Sequence, residues 1–243
     1  MNCPDVVARA SAAYEEISGV LEAEDLALID EVLDRAKKAR DLLARSGCFA
    51  QGVLSSLTRG IAELSKRRRE VLQRFIEGMK GLSHMEVVDY LYRSSRSDRD
   101  LAVKFVEAAQ YYLGECRAKL LAPKLVRVVN SIPSYVPDEE FRDILAAIVE
   151  CIAEGRFSRE GARRLAEVLK SRISPESLGF LRQYSCILFF LGYVELASSF
   201  IKLSRAAPEE VPQLVEGLEE RFKSQFMVIA GELGELESVL SRC

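Results

Sequence analysis

Apolar side chains return every three or four residues along almost the whole chain. Leu57, Ile61, Leu64, Val71, Phe75 and Met79 follow this step, broken only by the cation Arg68. Such spacing draws one apolar stripe down a helix from about residue 50 to residue 80. Runs that alternate Val, Ile, Thr and Tyr between Asn-Gly turns do not occur, so strands are not predicted.

Local signals set the ends of the helices. Ser83 with Glu86 three residues later makes a capping box and starts a helix at His84. Ser97 with Asp100 makes a similar start ahead of Leu101, Phe105, Ala109, Tyr112 and Cys116. Ser174-Pro175 reads as a capping serine with proline in the first helical position. Pro4, Pro137 and Pro208 stand where helices can begin, each closely followed by acids that favour the positive end of the helix dipole.

The pattern predicts nine helices, near 4–19, 24–46, 49–80, 84–95, 98–131, 138–154, 159–173, 175–205 and 208–241. Pro123 should kink or split the fifth, because proline removes a backbone donor and clashes with the preceding turn. The fold class is therefore all-α: about nine antiparallel helices in a bundle or an irregular array of helical hairpins. Two prolines within Ser131–Pro137 cannot continue a helix, and they suggest regions 1–131 and 137–243, or one continuous domain. No repeat of fixed period emerges.

Composition adds a globular class and an uneven charge. The 243 residues are 49% hydrophobic and 29% charged, enough apolar material for a sizeable core. Net charge is only −3, but residues 1–34 carry nine acids against one arginine. Residues 35–131 carry twenty bases against ten acids, and residues 132–243 thirteen against eighteen. Asparagine occurs only at positions 2 and 130, threonine only at 58, and arginine outnumbers lysine 24 to 10. Few thermolabile amides beside many ionic groups suggest a thermophilic source.

The opening residues show no basic segment followed by an apolar one, so a secretory signal is not expected. The six cysteines, at 3, 48, 116, 151, 186 and 243, are far apart and form no C-x-x-C pair. With His84 the sole histidine, a Cys/His zinc site is not expected. The plain reading is a set of small buried apolar groups in a reducing cytoplasm. Intracellular disulfides do occur in hyperthermophiles, and they are the alternative.

The densest basic run, Lys66-Arg67-Arg68-Arg69, lies in the third helix with Arg59 and Arg74 nearby. Residues 59 and 66, and residues 67 and 74, are seven apart and so recur on nearly one face. Arg59, Lys66, Arg67 and Arg74 are thus the candidate nucleic-acid contacts. Against this, four consecutive residues spread around a helix. Glu63, Glu70 and Glu77 can pair along it, and the acidic first helices can cover it.

Asp25, Asp30 and Asp34 have the composition of a metal-binding helix, but no Glu-x-x-His pair completes a di-iron set. His84, at a helix start, has no suggested nucleophile beside it. Nucleotide-binding glycine loops are missing. Gly231 and Gly234 in the last helix read as a close helix contact or a weak point.

Residues 186–197, CILFFLGYVELA, are apolar on every face for about three turns. Arg182, Glu195 and Lys202 cut the stretch short of the twenty residues a membrane span needs, so a membrane partner is not expected. A central core helix is the first reading. An oligomer interface is the second, with Phe189, Phe190 and Tyr193 as its candidates.

No family is recognised from these residues, and no catalytic residue, metal ligand or cofactor is assigned. The leading expectation is a non-enzymatic, cytoplasmic interaction or scaffold module that binds another protein or a copy of itself. A nucleic-acid-binding module using the basic segment 59–127 comes second, and a helical enzyme without a short motif third.

Overall fold

The computed structural model describes residues 2–95, 98–132, 136–171, 173 and 177–243. Helix covers 82% of the described residues, with no strand among them, so the all-α class holds. Twelve helices are described rather than nine. They are α1 (Cys3–Val20), α2 (Leu26–Arg45), α3 (Gln51–Met79), α4 (His84–Ser94), α5 (Asp98–Leu113) and α6 (Glu115–Ser131). The others are α7 (Asp138–Ala153), α8 (Arg159–Lys170), α9 (Leu178–Phe190), α10 (Val194–Leu203), α11 (Val211–Phe222) and α12 (Gln225–Leu240).

Three predicted helices are each divided in two, and the breaks have physical causes. The expected helix 98–131 breaks at Gly114, whose φ of 82° suits only glycine, while α6 runs through Pro123. The expected helix 175–205 ends at Gly192, φ 88°, in a Schellman cap. There Gly192 N–H donates to the Phe189 carbonyl at 2.8 Å, and Tyr193 N–H to the Leu188 carbonyl at 2.9 Å. The last predicted helix divides at Lys223-Ser224. The expected starts at Ser97 and at Ser174-Pro175 lie outside the described residues.

Where starts are described, the chemistry is explicit. Ser83 Oγ accepts from Glu86 N–H at 3.3 Å, while the Glu86 carboxylate accepts from Ser83 N–H at 2.7 Å. Asp25 caps α2 by accepting from the backbone N–H groups of Ala27 and Leu28 at 2.9 and 3.2 Å.

The helices form two compact units, residues 1–80 and residues 81–243. In the first, α1, α2 and α3 each pack on the other two around Ile17, Ile29, Leu57 and Leu64. Gly60 permits the close approach of α1 to α3, since a Cβ there would lie 3.2 Å from the Ile17 and Tyr14 side chains. In the second, α5 packs along α6, α8 along α12 and α9 along α10, with α7 against α4, α5 and α9. Residues 133–135, in the proline-rich segment, lie outside the described residues.

The cysteines correct the plain sequence reading. None is free: Cys3 pairs with Cys48, Cys116 with Cys243, and Cys151 with Cys186. Only Cys151 and Cys186 are buried. The partners are 45, 127 and 35 residues apart, and folding brings their Cα atoms to between 5.6 and 6.2 Å. No described helix is long and apolar enough to cross a membrane.

Candidate functional surfaces

Helix α3 presents its cations in two directions. Arg67 turns toward the α1–α2 connection, donating from Nε to the Ala23 carbonyl and from Nη2 to the Glu22 carbonyl, each at 3.2 Å. Arg74 Nη1 meets Glu24 Oε1 at 2.8 Å. Arg68 binds Asp30 through two nitrogens. Lys66 lies outward with only Glu70 at 3.8 Å, and Arg59 is exposed without a carboxylate partner among the described residues. The four nucleic-acid candidates therefore divide: Arg59, Lys66 and Arg74 are exposed, Arg74 in a surface ion pair with Glu24, whereas Arg67 is largely covered by the acidic segment that follows α1. Residues 1–80 contain thirteen basic and thirteen acidic side chains, so the acidic start and basic helix cancel within one unit.

The aspartate trio is dispersed among separate tasks. Asp25 caps α2, Asp30 holds Arg68, and Asp34 pairs with Lys38 at 2.7 Å. His84 stands in the first turn of α4 with its ring edge-on to Tyr112 at 6.1 Å, and Tyr112 in turn meets Tyr111 at 4.7 Å. Burial pushes the Tyr112 phenol above its ordinary value of 10.0.

The interface candidates also separate. Phe189 and Phe190 are 0% and 1% exposed, and Phe190 packs edge-on against Phe157 with ring centres 4.3 Å apart. Both rings are enclosed in the second unit and present nothing to a partner. Tyr193, beyond the Gly192 turn, is half-buried at a cleft of about 450 Å³ with Ser131, Glu195, Phe222 and Gln225. Burial, and then the neighbouring Glu232 carboxylate to which the phenol donates, raise Tyr193 above 10.0. Such a phenol stays protonated at neutral pH and can donate but not act as a base. Glu195, at the same cleft, is neutralised by Arg221 at 3.0 Å.

Shifted carboxylates elsewhere have structural partners. Glu86 is lowered by the Ser83 N–H it accepts, Asp143 by its hydrogen bond from Arg205, and Glu160 by the one from Arg164. Each shift belongs to a helix cap or an ion pair, and none to a convergent reactive group.

Two apolar features escaped the sequence reading. Phe49, on the α2–α3 loop, is 104% exposed, while Met227 and Val228 on α12 are 70% and 57% exposed. A short polar-flanked loop gives no periodic signal for Phe49. Gly231 and Gly234 marked α12, but which side of that helix faces outward is set by its packing on α8.

Among the described residues the fold is all-helical, in two units that each hold disulfides, and Phe49, Met227 and Val228 are exposed on a surface that also carries free cations such as Arg59. No family model, curated protein or solved structure matches the chain.

Proposed function

We propose that the chain is a non-enzymatic helical module that acts by binding other proteins. The observation that carries this reading is Phe49. Large aromatic groups are seldom left wholly in water, and at protein interfaces they supply much of the binding energy. The loop that presents Phe49 is held in place. Cys48 beside it is bonded to Cys3, Cys48 N–H donates to Ser46 Oγ at 3.2 Å, and Gly47 takes a left-handed φ of 70°. An anchor already fixed before binding loses little conformational entropy when a partner covers it.

The ionic groups support the same ranking. Arg67 is engaged within the first unit, which weakens the phosphate-binding alternative, although Arg59, Lys66 and the exposed Arg74 remain available to it. The shifted carboxylates serve caps and ion pairs, which gives little support to an enzyme. Three disulfides fit an oxidising compartment or a hyperthermophile cytoplasm, and the scarcity of the thermolabile amide asparagine favours the second.

The test is quantitative affinity capture from the source organism with the wild-type chain and with Phe49→Ser. The reading expects a defined set of proteins retained by the wild type and lost with the variant, whose helix content is unchanged. Equal retention by both would remove Phe49 from the function.

A further inference from the structure

The loop between α2 and α3 has little packing of its own. No residue from 44 to 56 is buried, and the nearest buried side chains on either side are Leu43 and Leu57. Nothing lies within 4 Å of the place a Cβ would occupy at Gly47 or Gly52. The hydrogen bonds of the loop run back to α2 or within itself. Ser46 N–H donates to the Leu42 carbonyl at 3.0 Å, Cys48 N–H to Ser46 Oγ at 3.2 Å, and Ala50 N–H to the Cys48 carbonyl at 2.9 Å. None among the described residues reaches α1, so what ties the loop to that helix is the Cys3–Cys48 bond.

The other end of the bridge is equally bare. Asn2, Cys3, Pro4 and Asp5 are all exposed, and the first buried side chain of α1 is Val6. From there α1 holds its place without the bridge. Val6, Ala10, Ala13 and Ile17 lie in the core, and Glu16 stands 2.9 Å from Arg35 of α2. Breaking the sulfur–sulfur bond therefore frees the loop from α1 while the three helices stay packed. A thiol can reach that bond, since Cys3 is exposed and Cys48 only half-buried, whereas Cys151 and Cys186 are enclosed in α7 and α9.

We propose that the Cys3–Cys48 bridge is a redox switch that sets the order of the α2–α3 loop. Closed, it holds Phe49 in one place; open, it lets the loop move. The co-reactant is a thiol. One thiolate attacks a sulfur of the bridge and forms a mixed disulfide, and the other cysteine leaves as a thiolate that takes up a proton. A second thiolate attacks the outer sulfur of the mixed disulfide and releases the remaining cysteine. Two external thiols are thus oxidised to one disulfide, and the bridge is reduced to two thiols. The consequence for function rests on the reading that Phe49 binds a partner. With the loop open, a partner must order it on binding, and capture should weaken by about tenfold.

Amide hydrogen exchange of the full chain, in glutathione buffers of graded thiol-to-disulfide ratio, tests the switch. Alkylation and peptide mapping follow each bridge in the same samples. As Cys3–Cys48 opens, exchange in residues 46–50 should quicken by about tenfold or more while circular dichroism holds. Cys3→Ser and Cys48→Ser should each show that quicker exchange with no thiol added, and Cys116→Ser should leave the loop unchanged. Loop exchange that ignores the state of the bridge overturns the proposal, as does a bridge that opens only when helix content is lost. Either result leaves the Phe49 reading standing if capture still depends on Phe49. A loop that loosens as expected, while capture ignores Phe49, would instead remove the Phe49 reading and leave the switch in place.

Discussion

Arg68 grips Asp30 with a two-pronged salt bridge, Nε 2.6 Å from Oδ1 and Nη2 3.1 Å from Oδ2. The pair joins α3 to α2 in the one place where the apolar stripe of α3 is interrupted. A cation on a packing face is tolerated when a carboxylate meets it with matched geometry, and both side chains here are less than a third exposed. Asp30→Ala should therefore destabilise the first unit by about 2 kcal/mol, much of it from the arginine left half-buried. Arg68→Met should cost less, since a methionine continues the stripe. Urea unfolding of the two single variants and the double variant checks this, and additive effects would show the pair to be uncoupled.

Disulfide reduction should proceed in an order set by exposure. The Cys3–Cys48 and Cys116–Cys243 bridges lie at or near the surface, and a mild reductant with an alkylating agent should open them while the protein stays folded. Cys151–Cys186, fully buried between α7 and α9, should resist until the second unit unfolds. Loss of the outer bridges should lower stability by about 4 and 5 kcal/mol at most, from the loop entropy of separations of 45 and 127 residues. Peptide mapping by mass spectrometry reads the order.

Phe190→Asp and Phe49→Asp should diverge completely. The first places a charge in a closed core and should cost several kcal/mol, unfolding or aggregating the second unit. The second meets only water and should leave circular dichroism and melting unchanged. A folded, monodisperse Phe190→Asp protein would contradict the burial of α9.

Acid should destabilise the fold through its lowered carboxylates. Glu86, Asp143 and Glu160 are held below their ordinary values of 4.5, 3.8 and 4.5 by Ser83, Arg205 and Arg164 respectively. A group whose folded value is lowered contributes fully above its unfolded value, and loses that contribution as pH falls through the folded one. Stability should then be level from pH 8 to about 5 and decline below about 4.5. Glu86→Gln, which keeps the shape of the cap but loses its charge, should flatten part of that decline in thermal melts.

Much of the fold was legible in local signals. The three–four spacing from Leu57 to Met79 and the Ser83–Glu86 box specify helices because their causes lie within a few residues. The breaks at Gly114 and Gly192 were not legible, because a glycine inside an apolar run is compatible with a continuous helix until packing requires the left-handed turn. Pro123 does not split its helix: α6 continues through it, and the division falls at Gly114 instead. Cysteine pairing needed the tertiary fold, which alone brings residues 116 and 243 together. The surface was harder still. The carbonyls of Ala23 and Glu22 that Arg67 meets are 44 and 45 residues away in the chain, and the exposure of Phe49 and Met227 is decided by what does not pack on them.

The central claim is that this chain meets partners through apolar contacts, with the basic helix largely neutralised from within. Fluorescence anisotropy of labelled single- and double-stranded oligonucleotides at low salt addresses it most directly. Each phosphate neutralised releases counterions, so true phosphate binding is strong at low salt and collapses as salt rises. The account predicts no saturable binding by the wild type, and none by a variant with Lys66, Arg67 and Arg74 all changed to glutamine. Tight, salt-sensitive binding by the wild type that the triple variant loses would contradict it.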